Sequence, residues 1–154
     1  MDGRMGYAGT QVLDEDAIDL LVRGAAENAR MIESDDPQQI FAAGSAYPSM
    51  DIYNEAIDGL TAAEKIDMAK RFEKECLSLD ARVNRCEAVE VTSMSGARRL
   101  VNTLGLDISH RDNALGVYAA VLAQEGEDVT TGTALALVRD PKTLDISEKA
   151  RQAV

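Results

Sequence analysis

The chain has no tryptophan, two cysteines, one histidine and three prolines, and 4% of its residues are aromatic. Each shortage closes off a class of protein. Cys76 and Cys86 are too few for a disulfide scaffold, and their spacing matches no zinc-finger or redox motif. They are expected to be reduced and buried. A hydrolytic metal site needs about three protein ligands, and His110 is the one histidine available. Cations are also scarce: 16 Lys and Arg face 27 Asp and Glu, a formal net charge of −11. Such a chain repels phosphate backbones and anionic lipid, so neither nucleic acid nor membrane is expected as a partner. Apolar runs such as residues 116–123 are far shorter than the roughly 20 residues of a spanning helix, and no basic-then-apolar signal opens the chain. A cytoplasmic location is expected.

What is present is ordinary globular material. Hydrophobic residues make up 45% and charged residues 28% of 154 residues, one domain's worth, enough to bury roughly 68–70% of the unfolded surface. Residues 4–8 alternate as a short strand would, weakened by Gly6 and Gly9. From Asp14 the pattern turns helical, with Ile18, Leu21, Val22, Ala25, Ala29 and Ile32 on one face, and Asp14, Glu15 and Asp16 where the helix dipole favours anions. Asp35-Asp36-Pro37 should stop this helix near Ser34. Residues 35–60 form a long connection with short pieces at most; such loops are uncommon unless functional or packed over a surface.

Thr61 and Glu64 make a capping box that opens a helix over about 62–79. Ile66, Ala69, Phe72, Cys76 and Leu79 form its expected buried stripe. Extended segments follow at 83–94, 98–104, 106–124 and 129–138. Ser95-Gly96, Gly105 and residues 125–128 separate them, as in an antiparallel meander. Leu115, Val117, Ala119, Val121 and Ala123 share one face, Tyr118, Ala120 and Leu122 the other, so both faces should be covered, with the two helices as cover. Asp140-Pro141 ends the last strand, and a helix starts at Ile146. The fold class is α+β: an antiparallel or mixed sheet, a meander in the second half, covered by two main helices, with a truncated C-terminal helix.

Chemistry-bearing residues are scattered. His110 sits in a strand with Ile108 on its face and has no ligand-spaced neighbour, so it reads as a packed or surface residue. Cys86 is the best formal nucleophile, with Arg82 and Arg85 near enough to lower a thiol pKa, yet strand cysteines usually behave as small apolar residues. No phosphate loop can be laid on Gly3, Gly6 and Gly9. Asp35-Asp36 and Glu125-x-Glu127-Asp128 lack the alternation of a calcium loop and read as solvated turns. Arg98-Arg99 could hold a carboxylate, but strand alternation points the two side chains to opposite faces and argues against a shared anion site. No catalytic and no metal-binding residue is assigned.

The run of residues 98–107, Arg-Arg-Leu-Val-Asn-Thr-Leu-Gly-Leu-Asp, followed by residues 122–128, Leu-Ala-Gln-Glu-Gly-Glu-Asp, and by Arg139-Asp140 before a helix, resembles the N-terminal domain of the TldD/PmbA family. These zinc metallopeptidases are also called modulators of DNA gyrase. Residues 2–8, the acidic-capped helix ending in Asn28-Ala29, and Asp35-Asp36-Pro37 resemble the same domain, and the likeness, closer to the PmbA branch, covers almost the whole chain. It implies that residues 1–154 are an interior part of that domain, with a catalytic C-terminal half elsewhere carrying the His-Glu-x-x-x-His zinc motif. No position here matches that motif, so no cofactor is expected on this chain.

The framework positions implied are Asn102 and Gly105 in an Asn-x-x-Gly turn, Glu125, Gly126 and Asp128 in a hairpin, and Arg139 after the last strand. Residues 133–135, Thr-Ala-Leu, depart from relatives that place an aromatic there. Implied partners are the chain's own C-terminal domain, a homodimer or TldD/PmbA-type heterodimer, and an unfolded peptide substrate. The segment is expected to do no chemistry and to shape substrate access and subunit assembly. The competing classes are a stand-alone module that associates through its sheet edge and a cysteine hydrolase using Cys86.

Overall fold

The structure, a computed structural model, describes residues 3–33, 37–44 and 46–154. The chain divides into two compact units, one of Met1–Ser45 with Val101–Asp107, the other of Ala46–Leu100 with Ile108–Val154.

The first unit holds helix α1, Glu15–Met31. Asp14 starts it: its Oδ1 accepts from the Ala17 amide at 2.8 Å, and Glu15 and Asp16 follow in the first turn, where unpaired amides favour negative charge. The helix stops at Met31, and the Asp35-Asp36 pair expected to end it lies outside the described residues. Residues 4–8, expected as a strand, are irregular. They pass so near α1 that a Cβ on Gly6 would fall 2.1 Å from the Ala25 carbonyl oxygen and 2.3 Å from the Ala29 nitrogen. Only glycine fits this crossing. The buried face of α1 consists of Ala17 and Ala29, whereas Ile18 and Val22, expected inside, are exposed. Small residues permit the close approach that larger ones would block.

The second unit begins with the short helix α2, Glu55–Asp58, followed by α3, Ala62–Leu79, which opens with the expected capping box between Thr61 and Glu64. Three strands follow, β1 (Val83–Val101), β2 (Asp107–Glu125) and β3 (Asp128–Val138), in the order β1-β2-β3 of an antiparallel sheet. A 3-10 turn at Pro141–Thr143, capped by Asp140, leads to helix α4, Ile146–Ala153. The meander therefore has three long strands where four segments were expected, because Ser95-Gly96 does not break β1. A serine and a glycine interrupt a strand only when the backbone turns; here Ser95 donates from Oγ to Asp58 Oδ2 at 3.3 Å and the strand continues.

Phe72 and Cys76 of α3 and Ile146, Ala150 and Ala153 of α4 pack on Val83, Val117, Ala119, Val121 and Ala134 as one core. Ile66 and Leu79, expected in the α3 stripe, are exposed. The face centred on Phe72 and Cys76 instead takes in Lys65, whose stem crosses to let Nζ donate to Ser93 Oγ at 3.0 Å. Register sets the opposite face: Tyr118 pairs with Leu135 and Gly116 with Leu137. Within this unit α3 and α4 cover one face of the sheet, while Leu135 and Leu137 of β3 on the other are 70% and 63% exposed; in β2, the run expected to be covered on both faces, Gly116 and Ala120 of that second face are buried and Tyr118 and Leu122 half-buried.

Candidate functional site

The sheet's core ends near Leu115, and the chemistry of the second unit gathers beyond it. Asn113 interrupts the apolar run of β2 and is 2% exposed, so every polar atom on it needs a partner. Its Oδ1 accepts from the Asn54 amide at 2.8 Å, and its Nδ2 donates to the Asn54 carbonyl at 2.8 Å and to Asp58 Oδ1 at 3.0 Å. Its backbone N–H reaches the Ile52 carbonyl, which also accepts from Arg139 Nη1 at 3.0 Å. The side chain thus does for the 52–54 stretch what a neighbouring strand would do. Asn54 in turn caps α2 by accepting from the Ala56 amide.

α2 delivers Asp58 to this node. Tyr53 donates from Oη to Asp58 Oδ2 at 2.5 Å, and Arg111 donates from Nη2 to Tyr53 Oη at 2.7 Å while its guanidinium lies 4.0 Å from the centre of the Tyr53 ring. The bond from Tyr53, then those from Asn113 and Ser95, and the Arg111 charge hold the Asp58 carboxyl below its ordinary value; the Asp58 bond pushes the Tyr53 phenol above its own. Shifts in these directions keep the carboxylate charged and the phenol protonated near neutrality. The pair is a clamp that orients Arg111 and not a proton relay.

Beside the clamp an open groove of about 590 Å³ is lined by Tyr53, Arg98, Arg99, His110 and Arg111, with Ala97 and Ser109. Three consecutive residues from each strand border it, so it draws on both faces of the β1–β2 ribbon. Arg98 and Arg99, kept apart in expectation by strand alternation, line this one groove. Asp112 Oδ1 stands 3.5 Å from His110 Nε2. Guanidinium forks can hold a carboxylate through paired hydrogen bonds.

The remaining sequence candidates lie elsewhere. Asn102 and Gly105 shape the β1–β2 connection: Asn102 Oδ1 accepts from the Leu104 and Leu106 amides, its Nδ2 donates to the Phe41 carbonyl at 2.7 Å, and Gly105 has φ +87°. Gly126, with φ +63°, makes the tight β2–β3 turn in which Glu125 pairs with Asp128. Glu125 also accepts from Arg82, which is held to Asp80 at 2.7 Å. Arg82 and Arg85 are thus engaged by Asp80, Glu125 and Glu87 instead of activating Cys86. Burial raises both thiols, Cys76 to about 11. These residues do not fit a zinc site: among the described residues no three His, Cys, Asp or Glu side chains gather. Tyr53, Asp58, Arg111 and Asn113 escaped sequence reasoning. The one available signal was an asparagine inside an apolar strand, where asparagine is disfavoured.

A family profile described as the PmbA/TldA metallopeptidase central domain matches residues 55–154. No curated protein matches the chain. Among solved structures, a protein named as a modulator of a DNA gyrase from Thermotoga maritima is 27% identical with a TM-score of 0.84, over 99% of this chain and 34% of that one. TldE from Thermococcus kodakarensis and a modulator of DNA gyrase from Bacteroides thetaiotaomicron are each 17% identical with TM-scores of 0.84, over 99% of this chain and 34% and 36% of theirs. The last two likenesses concern the fold. The chain spans about a third of the length of these relatives. Among the described residues no helix is long and apolar enough to cross a membrane.

Proposed function

The chain belongs to the PmbA/TldD metallopeptidase family, and from that premise we propose that it is a non-catalytic part of a peptidase, one that shapes how unfolded peptides reach a zinc centre carried elsewhere and how subunits assemble. The observation that carries this is the match of residues 55–154 to a central domain, in a chain that spans about a third of the relatives' length. A sheet whose helices lie on one side and whose Leu135 and Leu137 lie bare on the other is suited to be a wall. Such a wall admits an extended chain and excludes a folded one. Its partners in this role are the remainder of a peptidase subunit and a second subunit, of the same or of the TldD type, in the cytoplasm.

The test is incubation of the purified 154-residue chain with an unfolded peptide and added zinc, followed by mass spectrometry. Intact peptide is expected. Cleavage that depends on zinc and stops with a chelator would overturn the proposal. A second function, association through the sheet edge, is favoured by β1, a 19-residue strand with one neighbour in the sheet among the described residues. It predicts self-association in sedimentation velocity runs, and a monomer at every concentration would reject it.

A further inference from the structure

We propose that the groove between residues 97–99 of β1 and 109–111 of β2 is a subsite for peptide segments bearing Asp or Glu side chains. The inference rests on the peptide-handling role above and names the substrate class.

A chain of net charge −11 should present few places that attract a carboxylate, yet Arg98, Arg99, His110 and Arg111 line one groove. Arg98 has no carboxylate partner among the described residues. Arg111 is already oriented by the stacked and hydrogen-bonded Tyr53, so little side-chain freedom remains to be lost when a ligand binds. Asp58, 4.0 Å from Arg111, and Asp112, 3.5 Å from His110, offset part of the positive charge. What remains is a forked donor set with modest local charge, which matches a planar carboxylate better than a dense polyanion. The long-range field of the chain opposes every anion, a dense polyanion most of all, so a short segment with one or two carboxylates is the anionic ligand it penalises least. A cavity of about 590 Å³ has room for one or two side chains.

The test uses fluorescence anisotropy with dye-labelled, N-acetylated, C-amidated unstructured peptides that carry Glu, Gln or Lys at the same positions of a Gly/Ser background. At low ionic strength the Glu peptide should bind about tenfold tighter than the Gln peptide, and added salt should erase most of the difference. Arg98→Gln, which removes an exposed side chain without a packing role, should bring the Glu peptide down to the Gln peptide and leave the latter unchanged. A Gln peptide with a free C-terminal carboxylate that binds as well as the Glu peptide would overturn the side-chain assignment. Equal binding of all charge types would overturn the acidic preference while peptide handling stands, and no binding of any peptide would remove both.

Discussion

Asn113→Ala isolates what holds the 52–58 segment against the sheet. The truncation removes three side-chain hydrogen bonds, two to the Asn54 main chain at 2.8 Å and one to Asp58 at 3.0 Å, from a residue 2% exposed. The two Asn54 bonds contribute about 1 kcal/mol each, and an Asn54 amide left partly buried without a partner adds about 1 kcal/mol more. A loss of about 3 kcal/mol is therefore expected, a large share of the ~5–15 kcal/mol of a typical domain, with Tm falling by roughly 6–12 °C. Urea denaturation followed by circular dichroism gives the equilibrium value, and hydrogen exchange at the Asn54 amide locates it. Ser95→Ala, which removes a weaker and exposed bond to the same Asp58, serves as the control and should stay within about 0.5 kcal/mol of the parent. A loss below about 1 kcal/mol for Asn113→Ala, or unchanged Asn54 protection, would mean that the segment is held by something other than this node.

Gly132→Ala places a Cβ 1.9 Å from the Ala153 carbonyl oxygen, so α4 must shift; thermal melts should show a loss of about 2–3 kcal/mol, whereas Gly9→Ala, with open space around it, should be near neutral. Gly105→Ala meets only ordinary contact but keeps φ +87°, so strain alone should cost about 1–2 kcal/mol in the same assay. Arg82 holds the Asp80 carboxyl down to about 2. Its folded value lies below the unfolded value of about 4, so its contribution is fully present above pH 4 and lost as pH falls toward 2. Arg82→Ala should move the acid-unfolding midpoint to higher pH, and an unmoved midpoint would refute the pairing. Because burial raises both thiols, iodoacetamide at neutral pH should label Cys76 and Cys86 slowly, and rapid labelling confined to Cys86 would revive the cysteine-hydrolase class.

Local chemistry was legible where one residue's side chain decides one backbone event. Thr61 and Glu64 cap α3, Asp14 caps α1, and Asp140 followed by Pro141 closes β3. Where several residues compete, periodicity alone misled. Ile18 and Val22 have the spacing of a buried stripe, but Ala17 and Ala29 take the inside of α1, beside a chain whose Gly6 leaves no room for a Cβ. Ser95-Gly96 has turn composition, but β1 continues through it beside β2, which runs on to Asp107. The candidate site was invisible for a related reason. Asn54 and Asp58 lie in what reads as a featureless connection, and their roles exist only because Asn113 and Arg111, far along the chain, face them.

The groove is a better guide to function than the core. Around Val117, Ala119 and Val121 each side chain is fixed by packing against α3 and α4, so its identity reports on folding. Arg98, His110 and Arg111 lie where the ribbon buries almost nothing, and a polar residue of any sign would satisfy solvent there. Folding also gains little from setting guanidinium groups around a common groove, since like charges repel. In a chain with more acids than bases, cations spread over the surface would find carboxylates more readily than cations gathered in one place. Tyr53 and Asp58 orient Arg111 at the rim of that groove. The ligand proposed above would bring its carboxylate to Arg98, since Arg111 and His110 already have Asp58 and Asp112 beside them.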